Sequence, residues 1–162
     1  MGVAMRIVVI SDSHKRTGVI DKILSAQKEA KHVFFLGDNV ADIEDFEFLY
    51  PDKSFYSVCG NCDFGSIVQS VGLEVLGGKR IFYTHGHTYN VKYGMSRLLE
   101  TAKANNYDIV LYGHTHVAKT LYEDGIYIVN PGSCSQPRDG SKPSYAVIDI
   151  VDNGVMPTIV YL

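Results

Sequence analysis

The chain has 162 residues and a formal net charge of −3, from 15 Lys and Arg against 18 Asp and Glu, and this length predicts a single domain over residues 1–162. Hydrophobic residues make up 46% of the chain and charged residues 20%, which excludes a disordered protein, and the acidic balance excludes a broad nucleic-acid-binding surface. Its apolar runs are far shorter than the roughly 18 residues of a membrane span, and no secretory signal is recognised, so we expect no membrane partner and a cytoplasmic location.

The first part of the sequence alternates short apolar runs with amphipathic segments. β-branched apolar runs predict buried strands, and apolar residues at helical spacing predict helices. The predicted elements are a strand over Met5–Ile10, a helix from Thr17 as N-cap to about Ala30, a strand over His32–Leu36, a helix over Asp42–Tyr50 and a strand over Ser54–Val58. Strands separated by helices favour a mostly parallel sheet, whose ligands bind at the carboxyl ends of the strands.

The second part of the sequence changes to a hairpin, a helix and a strand-rich tail. Leu73–Leu76 and Lys79–Thr84 flank a Gly-Gly turn and predict the hairpin. A helix over Lys92–Asn105 and a strand over Asp108–Tyr112 follow, and Gly-containing turn signals divide the tail. We therefore expect two sheets packed together with helices on the outside.

Five of the six histidines stand in short polar clusters directly after predicted strands, and the sixth, His32, is assigned a structural or surface role. In an extended backbone, Asp12 and His14 would point to the same face and reach one ion. His114 and His116 have the same spacing, although a tight turn would let them diverge toward two ions. The candidate metal ligands are Asp12, His14, Asp38, Asn61, His85, His114 and His116. Seven oxygen and nitrogen donors exceed what one four-coordinate ion needs and indicate a site for two divalent ions.

The order of these clusters resembles the calcineurin-like metallophosphoesterases, especially their small single-domain bacterial and archaeal phosphodiesterases. The motifs that carry the resemblance are Asp12-Ser13-His14, Gly37-Asp38, Gly60-Asn61-Cys62-Asp63, His85-Gly86-His87, Gly113-His114-Thr115-His116 and Asn130-Pro131-Gly132-Ser133. The resemblance implies an α/β fold, a four-layer α/β/β/α sandwich of two mixed sheets flanked by helices. It also implies hydrolysis of a small phosphodiester.

The resemblance further implies how the donors are shared between two ions. One ion would be held by Asp12, His14, Asp38 and His116, and the other by Asp38 as the bridge with Asn61, His85 and His114. A hydroxide between the ions would attack phosphorus in line. Manganese is the preferred metal, with nickel, iron, zinc and magnesium as alternatives.

The catalytic acid is left open by one departure from the family pattern. Many relatives place a histidine directly after the metal-binding asparagine, where this chain has Cys62. Cys62, His87 or a water molecule could protonate the leaving group. Asp63 is expected to orient a neighbouring group, and Arg138 either approaches the substrate phosphate or is exposed to solvent.

Two other interpretations compete with hydrolysis. Cys59 and Cys62 form a C-x-x-C motif of the redox kind, but a redox site leaves the clustered histidines without a role. The retromer scaffold subunit resembles the same fold and binds partners with an impaired metal site, whereas every expected donor is present here. The oligomeric state is left open, with a homo-oligomer as one option.

Overall fold

The computed structural model describes residues 5–162, which form two five-stranded sheets with helices packed against them. The elements in chain order are β1 (Met5–Ile10), α1 (Thr17–Ala26), β2 (His32–Phe35), α2 (Ala41–Leu49), β3 (Ser54–Ser57), β4 (Val71–Leu76), β5 (Lys79–Thr84), α3 (Ser96–Asn105), β6 (Ile109–Leu111), β7 (Lys119–Glu123), β8 (Ile126–Asn130), β9 (Ser144–Val151) and β10 (Gly154–Tyr161). A short 3₁₀ helix over His87–Tyr89 connects β5 to α3.

Both sheets mix parallel and antiparallel strands. The first has the order β10-β9-β1-β2-β3. Strands β1, β2 and β3 are parallel, β9 is antiparallel to β1, and β10 is antiparallel to β9. The second has the order β4-β5-β6-β8-β7, with β5, β6 and β8 parallel and an antiparallel strand at each edge. The parallel strands form the centre of the second sheet, whereas in the first sheet they run from the central β1 to the edge strand β3.

Alternating side chains of β1 show how the layers are assembled. Ile7 and Val9 are buried in an apolar core that also contains Ile81 and Leu111 of the second sheet. The intervening residues of β1 face the opposite way, toward α1 and α2, because successive side chains of a strand point to opposite faces. A third cluster packs α3 against the outer face of the second sheet. The layers are therefore α/β/β/α, which confirms the predicted fold.

Helix α1 ends at Ala26, four residues before the predicted end at Ala30. The buried Lys53 explains the early end, because its ammonium group donates to carbonyl groups in the turn that follows the helix. The acceptors are the carbonyl oxygens of Gln27 at 3.0 Å, Lys28 at 3.3 Å and Ala30 at 2.5 Å. A cation at a helix carboxyl terminus also interacts favourably with the helix dipole.

The amino-terminal ends of two helices also differ from the prediction. Thr17 is the first residue of α1 and not its cap, since Arg16 occupies the cap position without a side-chain hydrogen bond. Helix α3 begins at Ser96, four residues after the predicted start at Lys92, because Gly94 has a φ of 142° that a helix cannot include. The other predicted elements agree with the observed ones to within two residues at either end. None of the helices between residues 5 and 162 is long and apolar enough to cross a membrane.

Candidate metal centre

The predicted ligands lie in loops at the carboxyl ends of parallel strands from both sheets. Strand β1 leads to Asp12 and His14, β2 leads to Asp38, and the segment after β3 contains Asn61. In the second sheet, β5 leads to His85, and β6 leads to His114 and His116. Loops at the carboxyl ends of parallel strands commonly form ligand sites. Packing the two sheets face to face brings these loops together.

One group of donors comprises Asp12, His14, Asp38 and His116, whose ligand atoms all lie within 4.8 Å of one another. His116 Nε2 lies 3.3 Å from Asp12 Oδ1 and 3.2 Å from His14 Nε2, which in turn lies 3.8 Å from Asp38 Oδ2. Asp12 Oδ1 is buried and has no hydrogen-bond partner among residues 5–162. A buried carboxylate oxygen without a partner is costly unless a cation neutralises it. These residues therefore fit a divalent metal ion.

A second group of donors surrounds His85. Its Nε2 lies 3.1 Å from Asn61 Oδ1 and 3.5 Å from Asp38 Oδ2. The ring of His114 lies beside it, with centroids 5.1 Å apart. Asp38 Oδ2 is thus within 4 Å of histidine nitrogens from both groups. Asp38 Oδ2 therefore lies close to donors of both groups.

Backbone carbonyl groups determine the tautomers of two of the histidines. His85 Nδ1 donates to the carbonyl oxygen of Leu36 at 2.6 Å, and His116 Nδ1 donates to that of Gln136 at 2.7 Å. A carbonyl oxygen can only accept, so each Nδ1 carries the hydrogen and each neutral ring presents a lone pair at Nε2. Metal-ligating histidines are commonly oriented in this way.

Five of the seven predicted ligands, all of them in the described range, have left-handed backbone conformations. The φ angles are 56° for Asp12, 45° for His14, 58° for Asp38, 69° for His114 and 58° for His116. Such residues are uncommon outside glycine, and they concentrate at functional sites that the surrounding structure holds in place. The expectation of an extended backbone for the pair Asp12 and His14 and for the pair His114 and His116 is therefore wrong. Asp12 and His14 still converge on one group, whereas His114 and His116 diverge to different groups.

The Asp63 carboxylate fastens two of the site loops to each other. It accepts backbone N–H groups of Asp38 at 2.9 Å, Asn39 at 2.8 Å, Val40 at 2.8 Å and Gly60 at 2.7 Å. The first three donors follow β2 and the last follows β3, so Asp63 sets the position of Asp38 relative to the segment that carries Asn61. The orienting role of Asp63 stays a prediction, which these four hydrogen bonds support.

Sequence reasoning assigned no role to two further side chains that brace the site. Buried Asn130 donates from Nδ2 to the carbonyl oxygen of Gly113 at 3.1 Å and to Thr115 Oγ1 at 3.0 Å. Ser133 Oγ donates to the carbonyl oxygen of Asp12 at 2.8 Å. Asn130 is the last residue of β8 and Ser133 follows the strand, and both belong to the last of the six motifs. The sequence feature that could have identified them is their polar character at the end of a buried strand.

Two glycines allow the loops to approach closely. A Cβ atom at Gly60 would overlap the carboxylate of Asp38, and one at Gly113 would overlap Ser11 Oγ and crowd Asp12. Only a residue without a side chain fits these contacts. These two glycines are therefore packing requirements of the candidate metal centre.

The ionisation of Asp38 and His114 matches what a metal needs, namely a charged carboxylate and a neutral imidazole. Burial acts to raise the pKa of Asp38, but the hydrogen bond and charge of His85 and the N–H of Cys62 hold it well below its usual range. Burial, the charge of His85 and the charge of Lys92 lower the pKa of His114 to about 4. For His85, burial acts to lower the pKa, yet the carboxylates of Asp38 and Asp12 raise it overall.

The two candidate proton donors differ in protonation. Burial and the charge of Asp38 raise the pKa of the Cys62 thiol, so the thiol keeps its proton at neutral pH. Burial and the charge of His85 lower the pKa of His87, so its ring is mainly neutral. The His87 ring lies 5.4 Å from that of His85, and its buried Nδ1 has no hydrogen-bond partner among the described residues.

Three other sequence predictions concern residues around the centre. His32 Nδ1 forms a 3.0 Å hydrogen bond with the hydroxyl of Tyr56, in agreement with a structural role. Cys59 and Cys62 are free thiols in the described part of the chain. Arg138 is exposed, and its backbone N–H donates to the carbonyl oxygen of His116 at 3.2 Å.

Comparisons with known proteins cover nearly the whole chain. Residues 5–153 match the model of the calcineurin-like phosphoesterase superfamily domain. The chain is 30% identical over 147 residues to the probable metallophosphoesterase YsnB of Bacillus subtilis, covering 90% of this chain and 85% of that protein. It is 28% identical over 170 residues to the phosphodiesterase YfcE of Escherichia coli K12, covering 90% and 88%. A crystal structure described as a predicted phosphoesterase, from Streptococcus pneumoniae, matches with a TM-score of 0.84 at 29% identity over 97% of this chain and 89% of that one.

Proposed function

The chain belongs to the calcineurin-like phosphoesterase superfamily, and from this premise we propose that it is a phosphodiesterase that works with two divalent metal ions. The observation that carries the proposal is the buried, unpartnered Oδ1 of Asp12, which faces histidine nitrogens 3.3 and 3.9 Å away. A carboxylate kept in such a place has a cation as its natural partner.

The proposal of two ions rests on the position of Asp38. One oxygen, Oδ2, lies between the donor group of His14 and the donor group of His85. The other oxygen accepts the backbone N–H of Cys62 at 2.9 Å, which prevents the carboxylate from rotating. The six other donors around this carboxylate support two ions that share it. Manganese is the metal we propose, with nickel, iron, zinc and magnesium as alternatives, because mixed oxygen and imidazole donors do not select one of them.

Two divalent ions supply, when bound, a lowered water pKa and positive charge for the phosphoryl oxygens. The chain contributes position and protons. Asp63 holds the loops of Asp38 and Asn61 in register. Cys62 holds a proton on Sγ at the exposed edge of the centre, where it can be delivered to a leaving oxygen.

A diester substrate is favoured by the openness of the centre and by one relative. Asn61 and Cys62 are exposed, so a phosphoryl group bound here has room for ester groups on both sides. The relative YfcE is named a phosphodiesterase. We therefore propose a small phosphodiester in preference to a monoester.

The test is hydrolysis of bis(p-nitrophenyl) phosphate by chelator-treated protein supplied with Mn²⁺, Ni²⁺, Mg²⁺, Zn²⁺ or no metal. The monoester p-nitrophenyl phosphate is assayed in parallel, and bound metal is counted by elemental analysis. Metal-restored turnover of the diester above that of the monoester is expected. Two bound ions without turnover of either ester would refute the enzyme and favour the protein-interaction scaffold.

A further inference from the structure

A groove of about 340 Å³ opens beside the metal centre. It reaches the centre at Thr115, which lies between the ligand candidates His114 and His116. Lys92 and Lys119 line its sides, and both are exposed. Nothing in the proposed hydrolysis uses this groove.

Neither lysine has an acidic partner among residues 5–162. Among the described residues, lysine–carboxylate ion pairs join Lys31 to Asp52 and Lys103 to Asp124, while Lys92 and Lys119 form none. Two unneutralised ammonium groups at one groove attract an anion. Lys92 is also close enough to the centre for its charge to act on His114.

The remaining lining of the groove is largely apolar. Val91 and Tyr112 contribute little surface, being 4% and 2% exposed, so the apolar area of the groove comes mainly from the half-buried Met95 and Val117. Apolar walls with cationic groups at the edge suit a ligand that has an apolar body and an anionic end.

Thr115 is held rigidly where the groove meets the centre. Its Oγ1 accepts from Asn130 Nδ2 at 3.0 Å and from the backbone N–H of Val117 at 3.3 Å. With these acceptor positions used, its own O–H remains to donate to a bound oxygen. The groove thus joins the metal centre through a fixed polar group.

A second groove, of about 280 Å³, lies at the Cys62 side of the centre and has a different charge. It is lined by Glu44 and Asp63 together with Phe64 and Cys62. Carboxylates at this side disfavour an anionic ester group. The charge contrast therefore distinguishes the two sides of the bound phosphoryl group.

Building on the proposed phosphodiesterase activity, we propose that the groove of Lys92 and Lys119 binds the ester group that is retained, and that it selects groups with an apolar body and an anionic end. The leaving group then lies at the Cys62 side, where the thiol proton is available. The preferred substrates are phosphodiesters with an additional carboxylate or phosphate.

The experiment compares three diesters with the same leaving group, p-nitrophenol. The retained groups are phenyl, 4-carboxyphenyl and 4-phosphonophenyl. The substrates therefore differ only in whether the retained group carries an anion and in which anion it carries. The enzymes are the metal-loaded wild type, the double variant Lys92→Gln/Lys119→Gln, and the control Lys22→Gln, which changes an exposed lysine on α1. We expect the wild type and the control to favour an anionic group in kcat/KM by about threefold to tenfold. The double variant should lose this preference through KM and retain activity toward the phenyl diester.

The possible outcomes test the groove proposal and the phosphodiesterase proposal separately. Turnover of all diesters without an anion preference, or a preference that persists in the double variant, would overturn the groove proposal and leave the phosphodiesterase intact. If the wild type hydrolyses none of them, the phosphodiesterase proposal fails. In that case the binding of 4-carboxyphenyl phosphate is measured by calorimetry. Weaker binding by the double variant than by the wild type would support the groove proposal, and unchanged binding would refute it.

Discussion

Replacing Asp63 by Asn tests whether one carboxylate holds two site loops together. Each carboxylate oxygen accepts two backbone N–H groups, Oδ1 from Asn39 and Val40 and Oδ2 from Asp38 and Gly60. An amide keeps the shape but turns one acceptor into a donor, so two N–H groups lose their partner whichever way it is oriented. Hydrogen bonds to charged groups contribute about 1.5–3 kcal/mol each. We therefore expect a loss of roughly 3–6 kcal/mol in the free energy of unfolding.

The assay is urea unfolding of the chelator-treated protein, followed by circular dichroism. Asp52→Asn is the matched control, because Asp52 is exposed and pairs with Lys31 at the surface, where such pairs contribute about 0–1 kcal/mol. Asp63→Asn should also weaken metal binding, since the loop of Asp38 is released. An unfolding free energy within about 0.5 kcal/mol of the control's would show that Asp63 does not brace these loops.

Four further predictions follow from the same structure. Asp38→Asn should lower kcat by roughly 100-fold or more because the shared charge is lost, and near-normal turnover would contradict a shared carboxylate. Asn61→Ala should bind one ion fewer than the wild type, as counted by elemental analysis. Lys53→Met should reduce the unfolding free energy by about 2–3 kcal/mol, since its ammonium group holds the turn after α1; a value like that of the exposed Lys22→Met would refute this role. His114 has a folded-state pKa of about 4 against 6.5 when unperturbed, so the unfolded chain binds more protons and stability falls as the pH drops from 6.5 toward 4. His114→Gln should flatten this decrease in urea unfolding of chelator-treated protein, and an unchanged pH profile would contradict the low pKa.

Local patterns in the sequence determined the elements and the donor set. Apolar runs such as Met5–Ile10 predict strands because a strand buried on both faces needs apolar residues throughout, and this run forms β1 as predicted. Polar clusters after such strands predict a site at the carboxyl ends of the sheet, and the seven predicted ligands do meet there. Helix ends were less predictable, since Lys53, 27 positions after Ala26, terminates α1.

Only the tertiary structure decided how the donors are divided and what holds them. His14 and His116 are 102 positions apart and meet at 3.2 Å because the two sheets pack face to face. The left-handed turns that separate His114 from His116 persist because Asn130 and other buried groups brace them. Likewise, the charge of the groove beside the centre arises where Lys92 and Lys119, on different segments, come together. Propensity and periodicity act over a few residues, whereas these features depend on contacts between distant segments that exist only after the layers have packed.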